Sequence, residues 1–281
     1  HARRADALLW AGQTSAAARL LPWLDADPRA LTRARIALRT AAPDAEALFA
    51  SVPAGIRRDP GLVFDRSLWL ERRNRLPDAE ALLARADIDR GKVTAPEAWL
   101  ERRLALGRAA LRRGDAEIAY RLLANHKTFT EGTRTDQLPL AQRLDLSDAE
   151  WLAGWIALRR LGRADDAVGH FNAFRAAVTT PVSLSRGDYW LGRAEKARGN
   201  AAAARAAFER AAAAFDYYYG QLAAEELGRL PQLPAAGRPP AGVTADARAR
   251  FAALPLVQAL RLLHDLGSRE RESLFVRALA D

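Results

Sequence analysis

The sequence predicts an all-α fold, a right-handed superhelix or solenoid of irregular helical hairpins, from three observations. First, apolar residues recur three and four positions apart in 98–111, 150–161 and 189–197, which is the spacing of one helix face. Second, no comparable segment alternates apolar and polar residues as a half-buried strand does. Third, residues typical of helix ends recur inside a common pattern of small and bulky side chains.

Helix ends are predicted at residue types that accept the left-handed backbone conformation. They are Gly12, Asn74, Gly114, Gly162 and Gly199. We interpret each of them as the turn between the two helices of a hairpin.

Three further positions recur at fixed distances from these five helix ends. Seven residues before the end stand Ala5, Ser67, Gly107, Trp155 and Gly192, four of which are small. Five residues after it stand Ala17, Ala79, Ala119, Ala167 and Ala204. Nine residues after it stand Leu21, Leu83, Leu123, Phe171 and Phe208. Small residues let antiparallel helices approach closely and the bulky residue fills the gap to the next hairpin, so the units must stack to bury their apolar faces.

The copy around Gly199 resembles a tetratricopeptide repeat at its characteristic offsets. The intervals between successive helix ends are 62, 40, 48 and 37 residues, so the superhelix is expected to be irregular. Segment 127–147 is the largest predicted insertion.

A domain boundary is predicted in the segment 231–243, which is rich in proline and glycine. The expected organisation is a helical-repeat domain over 1–230, this connector, and a helical pair over 244–281 that Thr244 can cap. The pair is interpreted as the start of a linker domain.

Composition excludes several kinds of site. The chain has no cysteine, so neither a disulfide nor a thiolate metal site can form. Its four histidines share no metal-ligand spacing, and no glycine-rich phosphate loop follows a strand. We therefore expect no metal and no cofactor. The longest apolar runs are far shorter than the ~20 residues of a membrane-spanning helix, so no membrane span is expected.

The net charge of +9 comes with forty arginines and only three lysines. A basic excess can favour nucleic acid or another anionic polymer. Here the basic residues are scattered singly and in pairs and form no dense patch that would follow phosphates. Arginine exposed beside glutamate and aspartate is the favoured interpretation, and nucleic-acid binding is not expected.

Two segments, 181–194 and 216–228, combine polar and aromatic residues densely. Ser183 or Ser185 can cap the helix that follows, with Asp188 in its first turn. One interpretation is simply a capped hairpin with aromatic residues in its core. The other is a groove for a sugar or a protein partner, because aromatic rings with arginine suit carbohydrate faces and anionic groups. Its candidate binding residues are Arg186, Tyr189, Tyr217, Tyr218 and Tyr219.

The chain resembles the helical superhelix of soluble lytic murein transglycosylases in four segments that occur in the family's order. They are AYRLLANH (119–126), DAEWLAGWIALR (148–159), PVSLSRGDYWLGRAEKARGN (181–200) and YYGQLAAEELG (218–228). The resemblance covers essentially the whole chain, and the combination of segments is specific. Family members carry Phe-Tyr-Gly-Gln-Leu where this chain has 218–222. The resemblance therefore implies that Tyr218 and Tyr219, together with Gly220, hold one hairpin against the next. Gly220 is expected to allow close backbone contact, and Tyr217 is expected to be the most exposed of the three tyrosines.

This resemblance implies a periplasmic protein that acts on peptidoglycan. The family has a horseshoe of helices, a helical linker domain and a C-terminal lysozyme-like domain, which cleaves the MurNAc–GlcNAc bond to 1,6-anhydro products. Similarity here ends near the start of the linker domain. The chain is therefore expected to position a catalytic domain on glycan strands, and that domain is expected to be absent from the chain.

No catalytic residue is assigned. The family uses one glutamate in a Glu-Ser motif, which Glu272 and Ser273 imitate. The family's site also needs a downstream Gly-Leu-Met-Gln segment, whereas this chain has no methionine and only six residues follow Phe275. Glu272 is expected on the exposed face of a terminal helix.

The main alternative is a stand-alone tetratricopeptide-like adaptor that binds a protein segment in its groove. Such a chain should end in a polar capping helix. The last residues instead form an apolar face of Leu274, Phe275, Val276 and Leu279, which favours continuation into another element. Nucleic-acid binding, the third alternative, predicts a steep dependence of affinity on salt.

Overall fold

The computed structural model describes residues 1–229 and 242–280, and within them 73% of the structure is helix and no strand occurs. The predicted all-α class is confirmed. The helices are α1 (Ala2–Trp10), α2 (Thr14–Ala18), α3 (Ala26–Thr40), α4 (Ala45–Ser51), α5 (Pro60–Arg72), α6 (Leu76–Ala84), α7 (Pro96–Arg112), α8 (Ala116–Ala124), α9 (Leu140–Arg160), α10 (Ala164–Ala177), α11 (Pro181–Ala197), α12 (Ala201–Ala212), α13 (Tyr218–Glu226), α14 (Ala245–Ala252), α15 (Pro255–Asp265) and α16 (Arg269–Ala280). Three short 3-10 turns occupy 21–23, 54–56 and 135–137.

The chain divides into two compact units, His1–Pro231 and Gln232–Asp281. In the first unit, successive helices pack as the hairpins α1/α2, α3/α4, α5/α6, α7/α8, α9/α10 and α11/α12, and α13 packs against both helices of the last hairpin. In the second unit, α15 and α16 form a hairpin beside α14. The predicted connector, 231–243, lies almost wholly outside the described residues and stays a prediction.

All five predicted helix ends have a left-handed backbone, with φ between 59° and 90°. Four of them form the same Schellman turn, in which the N–H of the following residue bonds a carbonyl five positions back. The Asp115 N–H bonding the Ala110 oxygen at 3.0 Å is one example. The predicted hairpin turns are confirmed.

The fifth end, at Gly162, contains one additional residue. Here the Leu161 N–H bonds the Ile156 oxygen, five residues back, and the Arg163 N–H bonds the Ala157 oxygen. The wider turn shifts α9 by one position relative to the template. Gly154 therefore takes the place that the sequence assigned to Trp155, and a Cβ at Gly154 would lie 2.8 Å from the Phe171 ring.

A sixth hairpin turn, between α3 and α4, was missed from the sequence because it is formed by alanine. Ala41 has φ 55°, and the Ala42 N–H bonds the Ala37 oxygen at 3.0 Å. Alanine is disfavoured in this conformation, so residue type alone does not reveal the turn.

Close helix contact at the small template positions is confirmed. The five template alanines that follow the turns are all buried, as are four of the five bulky residues, Leu21 being half-buried. A Cβ at Gly107 would lie 3.1 Å from the Leu123 side chain, and one at Gly192 would lie 2.5 Å from the Phe208 ring. Each bulky side chain thus occupies the space that a side chain at the paired small residue would need.

The predicted insertion at 127–147 is only partly a loop. Helix α9 begins at Leu140, so 140–147 is the first part of a 21-residue helix, and the irregular segment is confined to 125–139. The Trp99 indole on α7 donates to the His126 oxygen at 2.8 Å, which anchors the start of this segment in the core.

Side chains cap several helix starts, including the predicted cap at Thr244, whose hydroxyl accepts the Ala247 N–H at 3.1 Å. Glu272 on α16 is not on the exposed face that the sequence predicted. It is partly buried and lies 2.9 Å from the His264 Nδ1 on α15. Across both described ranges, none of the helices is long and apolar enough to cross a membrane.

Candidate functional site

The predicted groove residues lie on α11 and α13. Thr180, rather than Ser183 or Ser185, caps α11, because the helix begins at Pro181 and the Thr180 hydroxyl accepts the Ser183 N–H. Asp188 is correspondingly not in the first turn. It is buried in the middle of the helix, where its Oδ1 lies 2.9 Å from Arg175 Nε and 2.7 Å from Arg210 Nη2. This ion cluster joins α10, α11 and α12.

Aromatic rings from two hairpins, α9/α10 and α11/α12, and from α13 form a continuous chain, which we call the aromatic chain. Centroids of successive rings lie between 5.1 and 6.2 Å apart, the range of favourable aromatic pairs. Its members are Trp151, Phe171, Trp190, Tyr189, Phe208, Tyr219 and Tyr218. Trp190 and Tyr189 each pair with three other rings. Tyr189 is only 6% exposed, so its ring belongs to the core. The Arg193 Nη1 donates to its hydroxyl at 2.8 Å.

Tyr218, not Tyr217, is the most exposed of the three tyrosines. It is 66% exposed, whereas Tyr217 and Tyr219 are half-buried. Tyr217 precedes α13 in extended conformation and so turns away from the solvent-facing position that Tyr218 occupies at the first helical turn. The close contact predicted for Gly220 is confirmed, because a Cβ there would overlap the Ala214 carbonyl oxygen.

Arg186 covers one end of the aromatic chain. Its guanidinium carbon lies 3.6 Å from the Trp151 ring centroid, which is a close cation–π contact. The Arg186 Nε and the indole nitrogens of Trp151 and Trp190 make no hydrogen bond within the described part of the chain. The structure thus brings Arg186 and the exposed Tyr218 to opposite ends of one aromatic chain.

A second site, which the sequence did not reveal, surrounds Glu150 on α9. Its Oε1 lies 3.0 Å from His126 Nε2, and its Oε2 lies 2.7 Å from His170 Nδ1. The other nitrogen of His170 lies 3.2 Å from the Tyr120 hydroxyl. These residues come from α8, α9, α10 and the irregular segment 125–139, so the network joins two hairpins.

Hydrogen bonding assigns the tautomer of neutral His126. The Thr128 N–H donates to His126 Nδ1 at 3.1 Å, so Nδ1 is the acceptor and Nε2 carries the proton that bonds Glu150. Burial by itself would raise the pKa of Glu150, but the hydrogen bonds from the two imidazoles outweigh it and lower the pKa to about 2. Burial, with the Asp166 carboxylate adding to it, raises the pKa of Tyr120 to about 12.

A cavity of about 240 Å³ opens beside this network. Arg90, Phe129 and three threonines line it together with His126 and Glu150. Thr128, His126 and Glu150 are spaced like a nucleophile, a base and an orienting acid, since Thr128 Oγ1 lies 2.8 Å from His126 Nδ1. The Thr128 side chain is nevertheless buried and is not among the residues that line the cavity. The arrangement is therefore suited to anchoring the segment 125–139 rather than to attacking a substrate.

No cluster of three metal-ligating side chains with metal-binding geometry occurs in the described ranges. Both Glu150 oxygens instead hold imidazoles at hydrogen-bond distance. A search of protein-family models finds no match to this chain, and a search of curated proteins finds none either.

Proposed function

We propose that this chain is the helical-repeat part of a periplasmic soluble lytic transglycosylase, which holds peptidoglycan strands for a catalytic domain and does not cleave them itself. In this proposal the stacked hairpins wind into a right-handed superhelix. The ordered sequence segments motivate the family, and the aromatic chain with Arg186 is the observation that carries the binding role.

The aromatic chain supports the proposal through its chemistry. Tyr218 presents an exposed ring against which the apolar face of a sugar can pack, while its hydroxyl can hydrogen-bond. Arg186 presents a guanidinium that can donate hydrogen bonds to a carboxylate of a stem peptide. The rings between them are packed side by side, so the two contact points stand on a rigid base.

The test is sedimentation of the purified chain with insoluble peptidoglycan sacculi. We expect the wild-type chain to sediment with the sacculi, and a variant carrying Arg186→Ala and Tyr218→Ala to bind about tenfold more weakly. Arg108→Ala is the control, because Arg108 is also a partly exposed helical arginine but forms an ion pair with Asp148 at 2.9 Å. Equal sedimentation of the double variant and the control would contradict the assigned surface.

The same incubation tests the absence of cleavage. Mass spectrometry of the supernatant should detect no 1,6-anhydro-muropeptides, and their release by the purified chain would overturn that part of the proposal. The proposal requires that the chain binds the sacculi and releases no 1,6-anhydro-muropeptides from them.

A protein-binding adaptor is the second candidate. It is favoured by Leu140 and Leu144, which are exposed at successive turns of α9 beside a small cavity. An adaptor should bind no sacculi, and its binding to a protein should be lost on Leu144→Ser while Arg186→Ala leaves it intact.

A further inference from the structure

A cavity of about 430 Å³ forms a groove beside α5 and α6. Its rim carries five arginines: Arg57, Arg58, Arg66, Arg75 and Arg85. Its floor is apolar and includes Val63, Leu70 and Ile88, all of them buried. The volume falls within the range of pockets that hold small organic molecules or a few residues of a peptide.

Positive charge dominates this arginine groove. Only two aspartates line it, Asp78 and Asp87, which pair with Arg75 at 2.7 Å and Arg58 at 2.9 Å. The groove thus has three positive charges in excess. Adding Lys127 and Glu46, which pair with lining residues, leaves the excess unchanged.

Two of the arginines are held in place by contacts within the chain. Arg57 donates to the Val52 and Ala50 carbonyl oxygens, each at 2.6 Å. Arg66 lies over the Phe49 ring at 3.6 Å and donates from Nη2 to Glu46, but its Nη1 is buried and has no acceptor among the described residues. Ordering these side chains before a ligand arrives lowers the entropic cost of binding.

Arg85, at the end of α6, is one of four exposed arginines of the groove. Within the described ranges its side chain makes neither an ion pair nor a hydrogen bond, so its planar guanidinium can bind a carboxylate. Arg85 therefore offers guanidinium donors beside the apolar floor, and Arg66 adds a second positive charge to the lining of the groove.

We propose that the arginine groove binds an acidic peptide segment with an apolar side chain between its carboxylates. An inorganic anion has no apolar group that could contact the floor of the groove. Single-stranded nucleic acid is usually held by stacking on aromatic rings, and no lining residue of the groove is aromatic. This site lies on α5 and α6, apart from the aromatic chain, and the inference does not depend on the proposed function.

Fluorescence anisotropy with a labelled hexapeptide of alternating glutamate and leucine tests this inference on the full chain. We expect saturable binding that weakens as salt rises, because exposed charges are screened. Arg85→Gln and Arg66→Gln together should weaken binding about tenfold or more. Arg108→Gln, an exposed arginine on α7, should leave affinity within about twofold.

Arg85→Gln alone keeps the result interpretable, because Arg85 is exposed and its loss disturbs no contact. It should weaken binding measurably with an unchanged circular dichroism spectrum. Equal affinity for a glutamine and leucine peptide, full affinity of Arg85→Gln, or tighter binding of an oligothymidylate of equal charge would each overturn the inference. Loss of sacculus binding in the previous experiment would not affect it.

Discussion

Glu150 on α9 is an ionised carboxylate at a largely buried position. Its side chain is 12% exposed, yet it carries a full negative charge because two imidazoles donate hydrogen bonds to it. His126 and His170 lie 24 and 20 residues from Glu150, so no local spacing in the sequence predicts their contact. Only the packing of α9 against α10 and against the segment after α8 creates the network.

Glu150→Gln should lower the free energy of unfolding at pH 7 by about 3 kcal/mol, the value of a pKa lowered from 4.5 to about 2. The folded pKa lies below the unfolded one. The stabilisation is therefore fully present above about pH 5 and is lost as the pH falls toward 2. Urea unfolding of both proteins between pH 7 and pH 3 should show the difference shrinking toward acid.

Glu117→Gln provides the control for this measurement. Glu117 forms ion pairs with Arg121 and Arg163, but its side chain is 36% exposed to solvent, so its substitution should cost less than about 1 kcal/mol. A constant difference between wild type and Glu150→Gln over the whole pH range would show that the carboxylate contributes by shape rather than by charge.

Helix pairs in this protein depend on glycines that have no room for a side chain. At Gly154 and Gly192 the occupied space belongs to a phenylalanine ring, which can shift, whereas at Gly220 it belongs to the Ala214 backbone oxygen. The backbone of a packed turn moves less easily than an aromatic ring does to make room for an added methyl group. The start of α13 is therefore the least tolerant of these contacts.

Gly220→Ala should destabilise the protein by about 2–4 kcal/mol, because the methyl group cannot be accommodated without moving α13 away from the end of α12. Gly169→Ala is a matched control, since Gly169 is also helical and a Cβ there would meet nothing within 4 Å. Alanine at that position should be neutral or stabilising by up to about 1 kcal/mol. Equal thermal shifts for the two variants would contradict the packing argument.

At the scale of the whole molecule, the helices of the first unit contact chiefly their neighbours in the chain. A buried ion cluster ties its N-terminal hairpins together: Arg35 on α3 pairs with Asp6 on α1 and, at 2.7 Å, with Asp65 on α5. The cluster around Asp188 has the same role for α10, α11 and α12. Stability in such a chain is a sum of local interfaces.

Local destabilisation should therefore stay local. In Gly220→Ala, hydrogen exchange monitored by mass spectrometry should accelerate in α11, α12 and α13, while α5, α6, α7 and α8 keep their wild-type protection. Faster exchange through all these helices to a common rate would mean that the unit unfolds as one cooperative body, which this pattern of contacts does not predict.

The sequence by itself determined the helical class, the five predicted hairpin turns and the closeness of the helix pairs. Each depends on interactions between residues near in the chain, such as the turn at Gly114 or the contact of Gly192 with Phe208. The partner of Arg186 was not predicted: the sequence grouped Arg186 with Tyr189 and the later tyrosines, whereas its guanidinium lies over the Trp151 ring of α9.

Only the tertiary structure decided which side chains meet across hairpins. It buried Tyr189, exposed Tyr218, brought Glu150 between His126 and His170, and gathered five arginines around one groove. The physical reason is that burial and long-range pairing depend on how the hairpins stack. A shift of one residue, as in the turn at Gly162, changes which side chain faces the neighbouring helix.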